Sequence, residues 1–317
     1  MIEPSRILII RPSALGDVCR SVPLAVSLRA AFPHSDIDWL VQRGFEDAIA
    51  SHPAVTRTIA FDRKQLAGSL KRGDFAPLRS FLKDLRSASY DLVIDAQGLA
   101  RSGLIALATR APVRVGHRDA RELGWLGLNR RVLSQHVHTV DRMLHLLTAI
   151  DVPIKPDLQL YVAQADESVA RQRLRQRAPI VLAPTSRWLA KRWPIERWTE
   201  LAQIMLAKTD DQIVILGGPG EHDQCQPLID LAGAHDRVMD CVGSTTVGEA
   251  MAIIKNARLV VANDSAALHM AVGLGRPTVA LFGPTDVARV GPYKRDEDVI
   301  QHVQPSDALD HKNDENI

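Results

Sequence analysis

Short apolar runs rich in β-branched residues alternate with amphipathic stretches along almost the whole chain, and turn residues separate them. The clearest unit is the run at 259–262, the helical spacing of Leu268, Ala271 and Val272, and the run at 278–282. It reads strand, turn, helix, loop, strand. Asn263, Asp264 and Ser265 supply turn and cap chemistry, and Gly273 with Gly275 closes the helix. At the other end of the chain, 6–10 predicts a strand, and Val18, Val22, Val26 and Leu28 predict one helix stopping near Phe32 and Pro33. Strands at 37–41 and 58–61 follow with a short helix at 45–50 between them, and 63–72 reads as a basic loop. Phe75, Leu78, Leu82 and Leu85 mark an amphipathic helix. The segments 90–96 and 113–116 read as strands with a helix through Leu107 between them, and 139–150 reads as a helix.

Residues 151–156 hold two prolines and no helical period, so the boundary between halves is expected within 151–178. The alternation then resumes, with strands at 180–183, 212–217 and 237–241 and helices at 196–207, 224–232 and 247–255. Strands alternating with helices throughout give an α/β class with parallel sheets. The expected architecture is two Rossmann-like domains, 1–160 and 161–317, whose sheets face a central cleft. After Tyr293 the chain turns polar, with too little apolar content to bury much surface, and its last residues are expected to be disordered.

Composition narrows the classes. A chain of 317 residues suffices for two cores, and 46% hydrophobic with 24% charged residues is ordinary for a globular protein. A net charge of +2 gives no general nucleic-acid signature. Locally, residues 101–142 hold eight arginines against Asp119, Glu122 and Asp141, which suits either a solvated surface or an anionic partner or membrane. Three cysteines without metal-ligand spacing fit a reducing cytosol rather than a disulfide framework or zinc site. No secretory leader and no apolar stretch of roughly 20 residues is present in the sequence, so a soluble or peripheral protein is expected.

Two polar clusters end apolar strands, where ligands bind in open α/β sheets. Asp17 follows the first strand and a Gly16-containing loop; it suits either a general base towards a bound hydroxyl or a first-turn helix acid. Asp264 and Ser265 suit either an anion site at a helix start or simple caps, and His269 either a site residue or a buried core histidine. No G-x-G-x-x-G follows the first strand, which disfavours a Rossmann dehydrogenase.

The segments RPSALGDVCRSVPL at 11–24, YDLVIDAQGLARSG at 90–103, RVGHRDARE at 114–122, HTVDRM at 138–143, KRWPIERW at 191–198, GGPGE at 217–221, and NDSAALHMA through FGPTD within 263–286 together resemble one family. It is that of the ADP-heptose–lipopolysaccharide heptosyltransferases, glycosyltransferase family 9, and the chain looks most like the heptosyltransferase I type. The resemblance implies a GT-B fold and an inverting, metal-independent transfer of heptose from ADP-heptose to a Kdo-lipid A acceptor. It implies Asp17 as catalytic base and Lys191 as the cation on the donor diphosphate and departing ADP. Thr185 and Ser186 would lie beside the diphosphate, Glu221 on the ribose, Asp264 on heptose hydroxyls, and Ser265, Ala266 and His269 on the phosphate side. Ala266 stands where the family usually has glycine. On the acceptor side the resemblance points to Ser13, Gly16, Gln97, Arg63, Lys64, Arg118 and Arg121. No cofactor or metal is implied beyond the donor substrate. The implied partners are a nucleotide-sugar donor, an anionic glycolipid and the cytoplasmic face of the inner membrane, without nucleic acid. The alternatives are a relative using another acceptor or nucleotide sugar, a nucleotide-sugar epimerase, or a non-catalytic nucleotide-binding protein.

Overall fold

A computed structural model describes residues 3–175 and 178–302, in two compact units, Met1–Leu158 and Gln159–Ile317. Each unit holds a six-stranded, wholly parallel sheet.

In the first unit the strands are β1 (Arg6–Ile10), β2 (Asp36–Gln42), β3 (Arg57–Phe61), β4 (Leu92–Asp95), β5 (Val113–His117) and β6 (Arg130–Val132), in the order β3-β2-β1-β4-β5-β6. Chain direction across the sheet reverses beside β1, so β1 and β4 are neighbours with a crevice outside their carboxyl ends. The central strands are apolar on both faces because helices cover both: Ile7, Leu8, Ile9 and Ile10 have no exposed surface. One side of the sheet packs Leu8, Ile10, Leu40 and Val93 against Ile105, Leu85 and Tyr90. Register places Ile10 opposite Asp95, so the residues that leave the two strands, Arg11 and Ala96, emerge together.

The second unit repeats the plan with β7 (Ile180–Ala183), β8 (Ile213–Ile215), β9 (Val238–Asp240), β10 (Leu259–Asn263), β11 (Thr278–Phe282) and β12 (Val299–Gln301), in the order β12-β11-β10-β7-β8-β9. Its switch point lies between β7 and β10. The core packs Leu182, Ile213, Ile215 and Val261 against Trp198, whose ring meets Trp193 edge-on at 5.5 Å.

Several expectations need correction. The single helix after β1 is two, Leu15–Arg20 and Val22–Ala31, because Pro23 lacks an N–H and starts the second one. The stretch carrying Arg63 and Lys64 is not a loop but the helix Arg63–Lys71, capped by the Asp62 carboxylate accepting from the Gln65 N–H at 2.9 Å. The expected helix at 45–50 shrinks to a 3₁₀ turn, Glu46–Ala48, and that at 139–150 runs α only over Thr139–Leu144 before tightening to 3₁₀. Other elements escaped the pattern. Arg130–Val132 is an edge strand with two exposed arginines, the helix Gln164–Arg173 fully buries only Ala170, and Val299–Gln301 lies inside the polar stretch yet pairs with β11. The expected disorder of the last residues falls on 303–317, outside the described residues.

Candidate functional site

The residues singled out from sequence fall into two groups, one in each unit, and most follow the carboxyl ends of its strands. In the first unit, Asp17 sits in the first turn of Leu15–Arg20. Its carboxylate accepts from the Ala14 N–H at 3.2 Å, so it does act as a helix-start acid. It is also gripped by two guanidinium groups: Arg11 Nη2 lies 3.1 Å from Oδ2, and Arg20 Nη2 donates to Oδ1. Burial works against the charge, but Arg11 and Arg20 outweigh it and hold the Asp17 carboxyl well below the usual carboxylate range. Both arginines are buried, and Arg11 also donates to the Ala96 carbonyl at the end of β4.

Asp95, the last residue of β4, has no exposed surface. Its Oδ1 accepts from the Gln97 and Gly98 N–H groups at 3.0 and 3.1 Å, and its Oδ2 accepts from the Ser102 hydroxyl at 2.9 Å. Burial still wins, pushing the Asp95 carboxyl up to about 6. This turn aims the Gln97 side chain, whose Oε1 accepts from the Ser13 N–H at 3.2 Å. Ser13, Gln97 and Arg63 line one small pocket with Arg101 and Ser102. Gly16 is buried in the Leu15–Arg20 helix. Arg121 is exposed, with its N–H bonded to the Gly98 carbonyl at 3.0 Å, and Arg118, also exposed, bonds Val132. Lys64 is exposed on its helix and is not among the residues lining that pocket.

In the second unit, Lys191 Nζ donates to Asp264 Oδ2 at 2.6 Å, both side chains being largely buried. The turn Leu189–Lys191 reaches this place because Gly283 lets it close in: a Cβ there would stand 2.5 Å from the Ala190 carbonyl oxygen. Thr185 and Ser186 are buried just past β7, and Ser186 takes its place through Gln224 Oε1, which accepts from its N–H at 3.3 Å. Asn263 is fully buried and ties the two loops together, accepting from the Trp193 N–H at 3.2 Å and donating to the Pro184 carbonyl at 2.6 Å. Glu221 is committed to its own loop, where Oε2 accepts from the Gly218 N–H at 2.6 Å. Ser265 is the N-cap of Ala266–Gly273 without a side-chain cap bond, and His269 is buried on that helix. Ala266 opens the helix and is not among the residues with positive φ, so its methyl group carries no left-handed backbone strain. Thr285, beyond β11, buries a hydroxyl with no hydrogen-bond partner among the described residues.

Arg11, Arg20, Asp95, Asn263, Gln224 and Thr285 were not assigned from sequence. A charged residue flush against an apolar strand, as at Arg11 and Asp95, was the available signal. Among the described residues no three His, Cys, Asp or Glu side chains are grouped to hold a metal ion. Asp-x-Asp spacing occurs at 36–38 and 296–298, but Asp38 is taken by Arg57 and the Tyr90 hydroxyl and Asp298 by Arg295 and Thr278.

This pair of parallel sheets with polar groups at their switch points defines a class, the α/β proteins built of two Rossmann-like units. The match to glycosyltransferase family 9 (heptosyltransferase) covers residues 78–316. The lipopolysaccharide heptosyltransferase 1 of Pseudomonas aeruginosa is 31% identical over 305 residues, which cover 92% of this chain and 82% of that protein. Among solved structures, the Escherichia coli ADP-heptose lipopolysaccharide heptosyltransferase II aligns with a TM-score of 0.79 at 26% identity, covering 95% of this chain and 91% of that one. The E. coli heptosyltransferase WaaC with ADP aligns with a TM-score of 0.76 at 26% identity, covering 96% and 95%. The chain belongs to glycosyltransferase family 9 and has the GT-B fold.

Proposed function

We propose that this glycosyltransferase moves heptose from ADP-heptose to a Kdo-lipid A acceptor of the lipopolysaccharide inner core, with inversion at the anomeric carbon. The observation that carries the reading is the pairing of each key carboxylate with a cation that an anionic substrate can claim: Asp264 with Lys191, and Asp17 with Arg11 and Arg20.

The donor diphosphate competes with Asp264 for Lys191. Once the lysine turns to phosphate, the Asp264 carboxylate is free to accept from heptose hydroxyls. The buried Thr185, Ser186 and Thr285 hydroxyls, the Ser265 and Ala266 amides and His269 surround the phosphate side, and Glu221 serves the ribose. On the acceptor side, Ser13, Gly16, Gln97, Arg63, Lys64, Arg118 and Arg121 receive the anionic sugar. A carboxylate held as low as that of Asp17 is a poor base, since proton affinity follows pKa. An acceptor anion that draws Arg11 or Arg20 towards itself raises that affinity at the moment the hydroxyl is in place. The hydroxyl proton passes to Asp17, the new C–O bond forms at the anomeric carbon, and the bond to the β-phosphate oxygen breaks. ADP leaves with its charge facing Lys191, the kind of transition-state stabilisation that is often the largest catalytic contribution. With a lipid-borne acceptor, the enzyme works as a peripheral protein on the cytoplasmic membrane face. Among the described residues no helix is long and apolar enough to cross a membrane.

Lys191→Ala tests the donor half. Calorimetry is expected to show ADP affinity falling by about tenfold or more, the scale of one charge-assisted phosphate contact. ADP affinity equal to wild type would remove the lysine from the diphosphate.

A further inference from the structure

The outer face of one helix in the first unit is composed the wrong way round for water. In Ala100–Thr109, the side chains of Ser102, Ile105, Ala106 and Thr109 point into the protein. The opposite stripe carries Leu104 and Leu107, 65% and 48% exposed, with exposed Arg101 and Arg110 at its two ends. The turn Gly124–Gly127 lies directly against this helix: a Cβ on Gly103 would stand 2.0 Å from the Gly124 carbonyl oxygen, and one on Gly127 would stand 1.9 Å from that of Gly103. Leu123 and Leu126 on that turn are 62% and 58% exposed. Single exposed leucines are commonplace, whereas four on two abutting elements form a patch of the kind that marks an interaction site.

Charge selects the partner. Residues 101–142 carry eight arginines against three acids. We infer that Leu104, Leu107, Leu123 and Leu126, framed by Arg101 and Arg110, form the docking face for an anionic lipid bilayer. The leucines enter the boundary between headgroups and acyl chains, and the guanidinium groups pair with lipid phosphates in the fork geometry that suits them. A set of exposed leucines flanked by arginines needs no groove in its partner, and a bilayer surface offers both the apolar layer and the negative charge at once. The inference deepens the reading of a lipid-borne acceptor and rests on it, but vesicle binding reads it without turnover.

The test is co-sedimentation of the full chain with phosphatidylcholine vesicles, with and without about 30 mol% phosphatidylglycerol as the anionic lipid. Wild type is expected to pellet with the anionic vesicles and to be released by salt. L104S/L107S is expected to lose about tenfold or more in vesicle affinity, given the apolar surface it removes from the interface. R110E is expected to weaken binding to the anionic vesicles alone. Both variants change exposed side chains, and L104S/L107S keeps wild-type turnover of a deacylated, water-soluble acceptor. Absence of turnover in wild type and variant alike would instead count against the transferase reading. Three results would overturn the docking face: no binding of wild type to anionic vesicles, equal binding by L104S/L107S, or a wild-type dimer that these substitutions dissociate.

Discussion

Asp17 and Asp264 are both largely withdrawn from water, and each faces a neighbouring cation. For Asp17 the cost of burial is overcome by Arg11 and Arg20, and its carboxyl lies well below the usual range. It is therefore ionised at every working pH, and a fall in kcat/KM on the acid side belongs to another group. Asp17→Asn preserves size and an acceptor oxygen for the Ala14 N–H while removing the charge and the base. We expect kcat to fall by roughly 10²–10⁴, the usual worth of a general base, with ADP-heptose affinity nearly unchanged. Steady-state rates near wild type would exclude Asp17 as the base. The positions of Asp17 and Asp264 at the ends of apolar strands were legible in the sequence. The pairings were not legible, because the turn after β1 that brings Arg11 onto Asp17 leaves no mark in the hydrophobic pattern, and Lys191 meets Asp264 across 73 positions of chain.

The ends of β4 and β5 carry two buried titrating groups of opposite sense. Asp95 is raised to about 6 by burial, above its unfolded value of roughly 4. Its contribution to stability is present below about pH 4 and is lost as pH rises through 6. His117 is lowered to about 4, by burial and then by the Arg142 charge, and its Nδ1 is buried with no partner among the described residues. Its contribution is present above about pH 6.5 and is lost as pH falls through 4. In wild type the two slopes oppose each other between pH 4 and 6, each worth at most about 3 kcal/mol. Asp95→Asn should leave a protein that gains stability as pH rises across this window, and His117→Gln one that loses it, as read from urea midpoints at several pH values. Two variants with the wild-type pH profile would show that neither environment is as buried as described. The same strand ends show what a hydrophobic pattern can and cannot give. β1 and β4 were legible because parallel central strands are apolar on both faces. Arg130–Val132 was not, because an edge strand needs no such run, and the break at Ser21 depends on whether Pro23 begins a helix or interrupts one.

At the scale of the molecule, two units built on one plan each bring polar side chains to a switch point. This architecture was legible from strand–helix alternation, and the family from the order of its motifs, since no single motif is long. Ala266 illustrates the limit: whether alanine fits this position could be weighed only once the residue was seen to open a helix with ordinary φ. The proposed division of donor and acceptor sites between the two units makes one demand on the whole chain, that donor cleavage wait for the acceptor. The most direct measurement is ADP release from ADP-heptose by the purified protein, with and without Kdo-lipid A. Release is expected to depend on the acceptor and to yield a product of inverted anomeric configuration. ADP released at the same rate without acceptor, or none released with both substrates bound, would contradict this expectation.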